Sequence, residues 1–486
     1  MKLIFTCTGQ LLATLLLILA VPTLAIETVH GSYWYVIDNI QSSSPDAVAR
    51  VWIALPTERA GQEVRITALD PQPVEIITDQ ENGNRIVFWE VHPEPDQPTV
   101  FLHYDFTAQL ATVPNRVDPA DIEAYDPANR LYRRFTQAEF NIEVDSEIRS
   151  LARIIIGGED NPYRQAKLIY DWIVANCEFV PGGYGEPNAK SICRSRQGDC
   201  TQFSLLFTAL CRASGIPART LTCEWLTGGK HVLAEFYLQG YGWVPVDPAL
   251  AQLLTPNFEA LSSTEVKAFL LSHGIETDDP DWFFGNLYRQ RLITTIGNNI
   301  LLTGPDPGAN LVFTFLTPGG INAQPPACDL SGLGPDVVQG GFFQFGEQTL
   351  GNEQIHEIAH QKLANHYFDA GLYAEVEAGC LQILETNPTG VVAWINLGRV
   401  YLRKGDYGRA EASFKRALTG QYAVPEEKLE SMIWVHNYLG NCYDLMDRRA
   451  LARQEYERVV ELNVNYKGAV DYARQYLNTP FTEEDF

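Results

Sequence analysis

The sequence predicts a multidomain α+β protein: a β-sandwich-like N-terminal domain, a mixed α+β core and a C-terminal all-α region of helical repeats. Three observations carry this. Short β-branched and aromatic runs, parted by turn formers, fill residues 26–115. Helical periodicity begins near Ser146 and gives way to strand alternation that lasts to Val246. After Gln354 the chain turns helical with a 34-residue period. At 486 residues more than one core is expected, and 45% hydrophobic with 20% charged residues is a globular composition.

Residues 1–25 read as a signal peptide: Lys2, the apolar run from Leu11 to Ala20, then the small-residue end Thr23-Leu24-Ala25. This predicts an exported protein, periplasmic or secreted. No later segment is long and apolar enough to span a bilayer, so no stable membrane span is expected beyond the signal sequence. Nine cysteines in such a chain are too sparse for a disulfide scaffold, although an oxidising compartment would permit a Cys177–Cys193 bridge. The net charge of −24 argues against a nucleic-acid partner, since no basic surplus exists to neutralise phosphates.

The N-terminal strands are carried by Ser32-Tyr33-Trp34-Tyr35-Val36, Ala49-Arg50-Val51-Trp52-Ile53-Ala54-Leu55, Arg85-Ile86-Val87-Phe88-Trp89 and Val100-Phe101-Leu102-His103-Tyr104. Residues 118–141 are polar and connect to the core domain, expected over 140–303. There Ile148, Leu151 and Ile155 form one helical stripe, and Ala166, Ile169, Ile173 and Val174 another. A third helix runs from about Cys200 to Ser214 with Phe203, Leu206, Phe207 and Leu210 on a buried face; Gly215 and Pro217 stop it. Strand signals follow at 219–223, 231–238 and 242–246. Residues 304–353, rich in Gly and Pro, read as a linker with one strand near 309–316. Over 354–480, Leu363, Tyr367, Gly371 and Ala378 recur as Leu397, Tyr401, Gly405 and Ala412. This period of paired helices resembles the tetratricopeptide repeat, and it predicts a protein partner for that region. Leu439 and Tyr443 come later than the period requires, with the extra residues absorbed around 421–430.

The chemistry concentrates in Arg196-Gln197-Gly198-Asp199-Cys200-Thr201-Gln202-Phe203. Asp199 can cap the helix, and Cys200 in its first turn meets free N–H groups and a dipole that favour negative charge, the condition for a nucleophilic thiolate. A helical cysteine alone is commonly a small buried hydrophobe. His231-Val232-Leu233-Ala234-Glu235-Phe236-Tyr237 alternates as a strand, Gln239-Gly240-Tyr241-Gly242 turns it, and Trp243-Val244-Pro245-Val246-Asp247 returns. That hairpin brings His231 and Asp247 across from one another within one register step. A carboxylate beside an imidazole fixes its tautomer, the orienting role in a nucleophile–base–orienter triad.

Together the Cys200 motif, Leu210-Cys211-Arg212-Ala213-Ser214-Gly215-Ile216-Pro217-Ala218-Arg219, His231 on a strand and Gly242-Trp243-Val244-Pro245-Val246-Asp247-Pro248 resemble the transglutaminase-like superfamily. The stretch from Phe284-Gly285-Asn286-Leu287 to Asn298-Asn299-Ile300 resembles the tail of bacterial members. The resemblance implies a papain-like α+β core with Cys200, His231 and Asp247 as catalytic residues. Many relatives carry an aromatic residue just after the histidine, whereas this chain has Val232 and Leu233, which bears on substrate preference.

The expected reaction is thiol acyl transfer on a peptide, protein or cell-wall amide. Hydrolysis is favoured over cross-linking because water is abundant outside the cytoplasm and nothing marks an amine site. One oxyanion donor is the Cys200 backbone N–H; Gln197 and Tyr184 are candidates for the second, each also readable as a plain loop residue. A non-catalytic interaction scaffold is the alternative. No cofactor or metal is expected, since Cys193, Cys200, Cys223 and His231 show no close CxxC or HxxxH spacing.

Overall fold

Period-two burial builds the first domain. A computed structural model describes residues 26–486 apart from 42–45, 95–96, 181–184, 257, 259–262, 299, 304–309, 314–326, 331, 335, 348–349, 421–424 and 463–467. The signal segment and Tyr184 therefore lie outside the described residues. Six strands come first: β1 (Ile26–Asp38), β2 (Ala49–Leu55), β3 (Gln62–Asp70), β4 (Glu75–Thr78), β5 (Arg85–Val91) and β6 (Val100–Ala111). Along β6, Val100, Leu102, Tyr104, Phe106, Ala108 and Leu110 are buried while the residues between them are more open. That alternation puts one face of the strand against a core shared with Tyr35, Ile37, Val51, Ile53, Val87 and Trp89.

The core domain follows with α1 (Arg130–Phe135), α2 (Ser146–Ile156), α3 (Pro162–Asn176), β7 (Glu178–Phe179), α4 (Ala189–Ser195), β8 (Gln197–Gly198) and α5 (Cys200–Ala213). Then come β9 (Ala218–Trp225), β10 (Lys230–Leu238), β11 (Gly242–Val246), α6 (Pro248–Leu253), α7 (Ser263–Ser272) and β12 (Arg291–Ile296). The strands form one antiparallel sheet in the order β11-β10-β9-β12. Every residue of α5 from Cys200 to Arg212 is buried, so this helix is wrapped by the sheet and by α2, α3 and α4.

β12 is buried along its whole length because the sandwich covers it. Leu292 belongs to the sandwich core, whereas Ile293 packs with Leu221, Cys223 and Leu233. Two side-chain amides from the sandwich pin its backbone. Gln62 Nε2 donates to Ile293 O at 2.8 Å and Gln62 Oε1 accepts from Ile293 N at 2.7 Å. Asn84 does the same at Ile296, at 2.7 and 2.9 Å. They sit where the β12–β9 ladder shifts register, at Ile293/Thr295, and satisfy backbone groups near the shift.

The structure corrects the linker reading of 304–353. The expected strand is present as β14 (Asn310–Phe313), paired with β13 (Ile300–Thr303). Beyond it, β15 (Ala327–Asp329) pairs with β2, and β16 (Val338–Phe345) pairs with β1. The sandwich is therefore two four-stranded sheets, β16-β1-β6-β3 and β15-β2-β5-β4, and its last strands arrive after the core domain. Glycine misleads here because it serves close packing: a Cβ on Gly341 would collide with the Tyr33 hydroxyl, and one on Gly340 would lie 2.7 Å from Leu363 Cδ2.

The remainder is helical: α8 (Asn352–Lys362), α9 (Ala364–Asp369), α10 (Tyr373–Thr386), α11 (Val391–Arg403), α12 (Tyr407–Leu418), α13 (Pro425–Leu445), α14 (Arg449–Leu462) and α15 (Ala469–Asn478). α13 has 21 residues, longer than its neighbours, in the region where the sequence carries its extra residues. Small residues set the helix approach: a Cβ on Gly398 would strike the Phe414 ring, and one on Gly440 the Tyr456 ring. The repeats dock on the sandwich, since Trp34, Val36, Val338 and Phe342 share one core with Ile355, Ala359 and Leu363. Among the described residues no helix is long and apolar enough to cross a membrane.

Candidate active site

Cys200 is the first residue of α5, and local chemistry holds it there. Asp199 accepts from Gln202 N at 3.1 Å while the Gln202 side chain accepts from Asp199 N at 3.2 Å, a reciprocal capping box. Gln202 Nε2 also donates to Glu186 O at 3.1 Å. Gly198 has no room for a side chain, because a Cβ there would lie 2.8 Å from Gln202 Cβ and 2.9 Å from Ile192 Cδ1. The Ser204 hydroxyl lies 2.8 Å from Cys200 O and 3.1 Å from Val232 O, so its proton is shared between α5 and the strand that carries His231.

His231 and Asp247 are both buried, with His231 Nε2 2.7 Å from Asp247 Oδ2. The ladder between β10 and β11 ends at Ala234↔Val246, which puts Asp247 level with Leu233 rather than His231. Asp247 reaches His231 diagonally because it leaves the strand to cap α6, its Oδ1 accepting from Leu250 N at 3.1 Å. Its own N–H donates to Phe283 O at 3.0 Å. With Nε2 occupied by Asp247, Nδ1 is the ring nitrogen left for Cys200, with which His231 also has a hydrogen-bond interaction. Burial alone would depress the His231 pKa; Asp247 and Cys200 outweigh it and hold the ring well above its ordinary value.

Three aromatic side chains that the sequence gives no means of assigning enclose this pair. The Trp225 ring lies 5.2 Å from that of His231, stacks on Tyr288 at 4.9 Å and meets His273 edge-on at 4.2 Å. The Tyr288 hydroxyl lies 3.5 Å from Asp247 Oδ2. The aromatic neighbour of His231 thus comes from β9, across the sheet, and Val232 and Leu233 are core residues. Burial, followed by the repulsion of Arg59, lowers the pKa of the fully buried Arg291 to about 10.

Other sequence candidates fall outside this cluster. Gln197 is not a loop residue: it begins β8, opposite Glu178 on β7, and its amide donates to Glu178 Oε2 at 2.7 Å. No disulfide joins Cys177 to Cys193 or Cys193 to Cys200. Cys223 is the cross-strand partner of His231, and burial pushes its thiol up to about 12. His356 and His360, at HxxxH spacing, lie on α8 at the start of the repeats.

Residues 149–248 match the family model described as the transglutaminase-like superfamily, and residues 391–463 match a tetratricopeptide repeat model. An uncharacterised protein of Haemophilus influenzae is 33% identical over an alignment of 146 residues that covers 24% of this chain and 40% of that protein. The chain therefore matches less than half the length of that relative. A candidate cysteine protease from Cytophaga hutchinsonii is similar over 66% of this chain and 100% of its own, at 17% identity and a TM-score of 0.35. A candidate protease from Parabacteroides distasonis covers 44% of this chain and 46% of its own, at 13% identity and a TM-score of 0.18. Scores this low carry no functional argument. The family models agree with the architecture: this chain carries a transglutaminase-like domain at 149–248 and tetratricopeptide repeats at 391–463.

Proposed function

We propose that this chain is an exported thiol acyl-transfer enzyme acting on peptide or amide bonds, hydrolysing them rather than cross-linking, with its repeats holding a protein partner. One observation carries the reading: the His231 ring lies 2.7 Å from Asp247 on one side and interacts with Cys200, first in α5, on the other. In this mechanism the Cys200 sulfur attacks the carbonyl carbon and His231 gives its proton to the leaving amine. The resulting thioester is opened by water, whose proton returns to His231, and the acid is released. Asp247 holds the ring in the tautomer that presents Nδ1 to the sulfur. The Cys200 N–H, at a helix N-terminus, is one donor to the oxyanion. Export rests on the pattern of residues 1–25, and hydrolysis on the abundance of water outside the cytoplasm.

A thiol-directed acyl probe tests this. The expected result is labelling at Cys200 at neutral pH that is abolished in Cys200→Ala and strongly reduced in His231→Ala. Following ammonia and new amine termini on peptide and cell-wall substrates then separates hydrolysis from amine transfer. A folded protein whose Cys200 stays unlabelled overturns the enzymatic reading in favour of a scaffold.

A further inference from the structure

We propose that Asp38, His356 and His360 form a binding site for a divalent transition metal, with Zn2+ the ion they suit best, that fastens the first repeat helix to the sandwich. Asp38 ends β1, and the two histidines lie four residues apart on α8, hence on one face of that helix. Both Nε2 atoms converge on one carboxylate oxygen: Asp38 Oδ2 is 2.6 Å from His356 Nε2 and 4.0 Å from His360 Nε2. All three donor atoms lie within 4.8 Å of one another.

A second observation points the same way. His360 Nε2 is buried and has no hydrogen-bond partner. A ring nitrogen sealed from water without a partner is costly, and a metal ion is the ligand that would use its lone pair. The carboxylate is also oriented as metal ligands are: Thr99 Oγ1 donates to Asp38 Oδ1 at 2.6 Å, and the Tyr367 hydroxyl donates to Oδ2 at 2.7 Å. Two imidazoles and a carboxylate are a borderline-soft set that suits Zn2+ and leaves one position for water. Glu357, between the two histidines, is engaged on the helix surface, accepting from Gln382 Nε2 at 3.0 Å. The site therefore binds and fastens; no hydrolytic role is assigned to it.

The test uses the full chain in a Cys200→Ala background, so that the active-site thiol takes no part. After chelator treatment, Zn2+ is titrated by calorimetry and Co2+ by visible absorption. The expected result is one Zn2+ per chain, a tetrahedral Co2+ spectrum, and a melting temperature that rises with added Zn2+. His360→Gln and Asp38→Asn should each weaken Zn2+ by about tenfold or more. His360→Gln also removes a ring that packs on His356 and Tyr367, so its effect is read as the loss of the Zn2+-dependent rise in melting temperature relative to the same variant without metal. Equal binding by the parent and His360→Gln overturns the proposal, as does the absence of saturable Zn2+ binding in a folded parent.

Discussion

Replacing Asp247 by Asn isolates the charge that holds His231 in its working state. The contact is a buried 2.7 Å hydrogen bond from an imidazole ring to a carboxylate, and bonds to charged groups are worth about 1.5–3 kcal/mol. Losing it lowers the His231 pKa, because burial then acts with less opposition. The population of imidazolium beside Cys200 at neutral pH falls accordingly. Alkylation of Cys200 by iodoacetamide should slow by about 10- to 150-fold. The sign is fixed: the folded His231 titrates above its unfolded value. The pair therefore stabilises the fold fully below about pH 6.5 and loses that contribution as pH rises through the folded pKa. Asn keeps the oxygen that caps α6 through Leu250 N, so the variant should fold. The assay is the second-order alkylation rate across pH, with the modified residue located by mass spectrometry and folding followed by circular dichroism. A folded variant with the parent's rate and pH profile would refute the role given to Asp247.

Two further substitutions test the scaffold. Glu235 is fully buried, with Oε2 2.7 Å from Arg59 Nη2 in the sandwich and Oε1 2.7 Å from Arg219 Nε in the core. Glu235→Gln leaves both guanidinium groups uncompensated and should cost about 3–5 kcal/mol in urea unfolding. Burial alone would raise the Glu235 pKa, but the two arginines overcome it and lower it. Its stabilisation is thus present above the unfolded carboxylate pKa of about 4.3 and lost as pH falls through the folded value, so the variant should show a shallower loss of stability in acid. Gly398→Ala places a methyl group against the Phe414 ring; a loss of about 1–3 kcal/mol is expected in the melting of the repeats, with Cys200 alkylation unchanged.

The candidate site was legible where its signals are local. A capping aspartate before Cys200 and a hairpin between His231 and Asp247 are written within short stretches; the structure sets Cys200 first in α5 and joins His231 to Asp247. The exact pairing was not legible, because Asp247 leaves its strand for a helix cap and meets His231 on the diagonal. Trp225, His273 and Tyr288 come from separate elements and converge only through tertiary packing. The sandwich followed from β-branched and aromatic runs parted by turn formers and the repeats from a 34-residue period, whereas β16 hid behind Gly340 and Gly341, whose missing side chains admit Leu363 and Tyr33. His356 and His360 lie four residues apart on α8, but Asp38 stands 318 residues before His356, so nothing local in the sequence joins the three.

The late arrival of β16 also orders the birth of the molecule. Tyr35 and Gln339 are hydrogen-bonded although 304 residues separate them, so β1 leaves the ribosome long before its outer neighbour exists. Until then its edge is an open row of backbone donors and acceptors, a template for any stray strand. The transglutaminase-like domain is spliced into the sandwich as a large insertion, and only once that insertion has been made can the sheet close. The strand that closes it carries Val338 and Phe342, part of the surface on which the repeats settle. Completion of the first domain and docking of the last therefore depend on the same strand, and a chain cut short between residues 304 and 338 loses both.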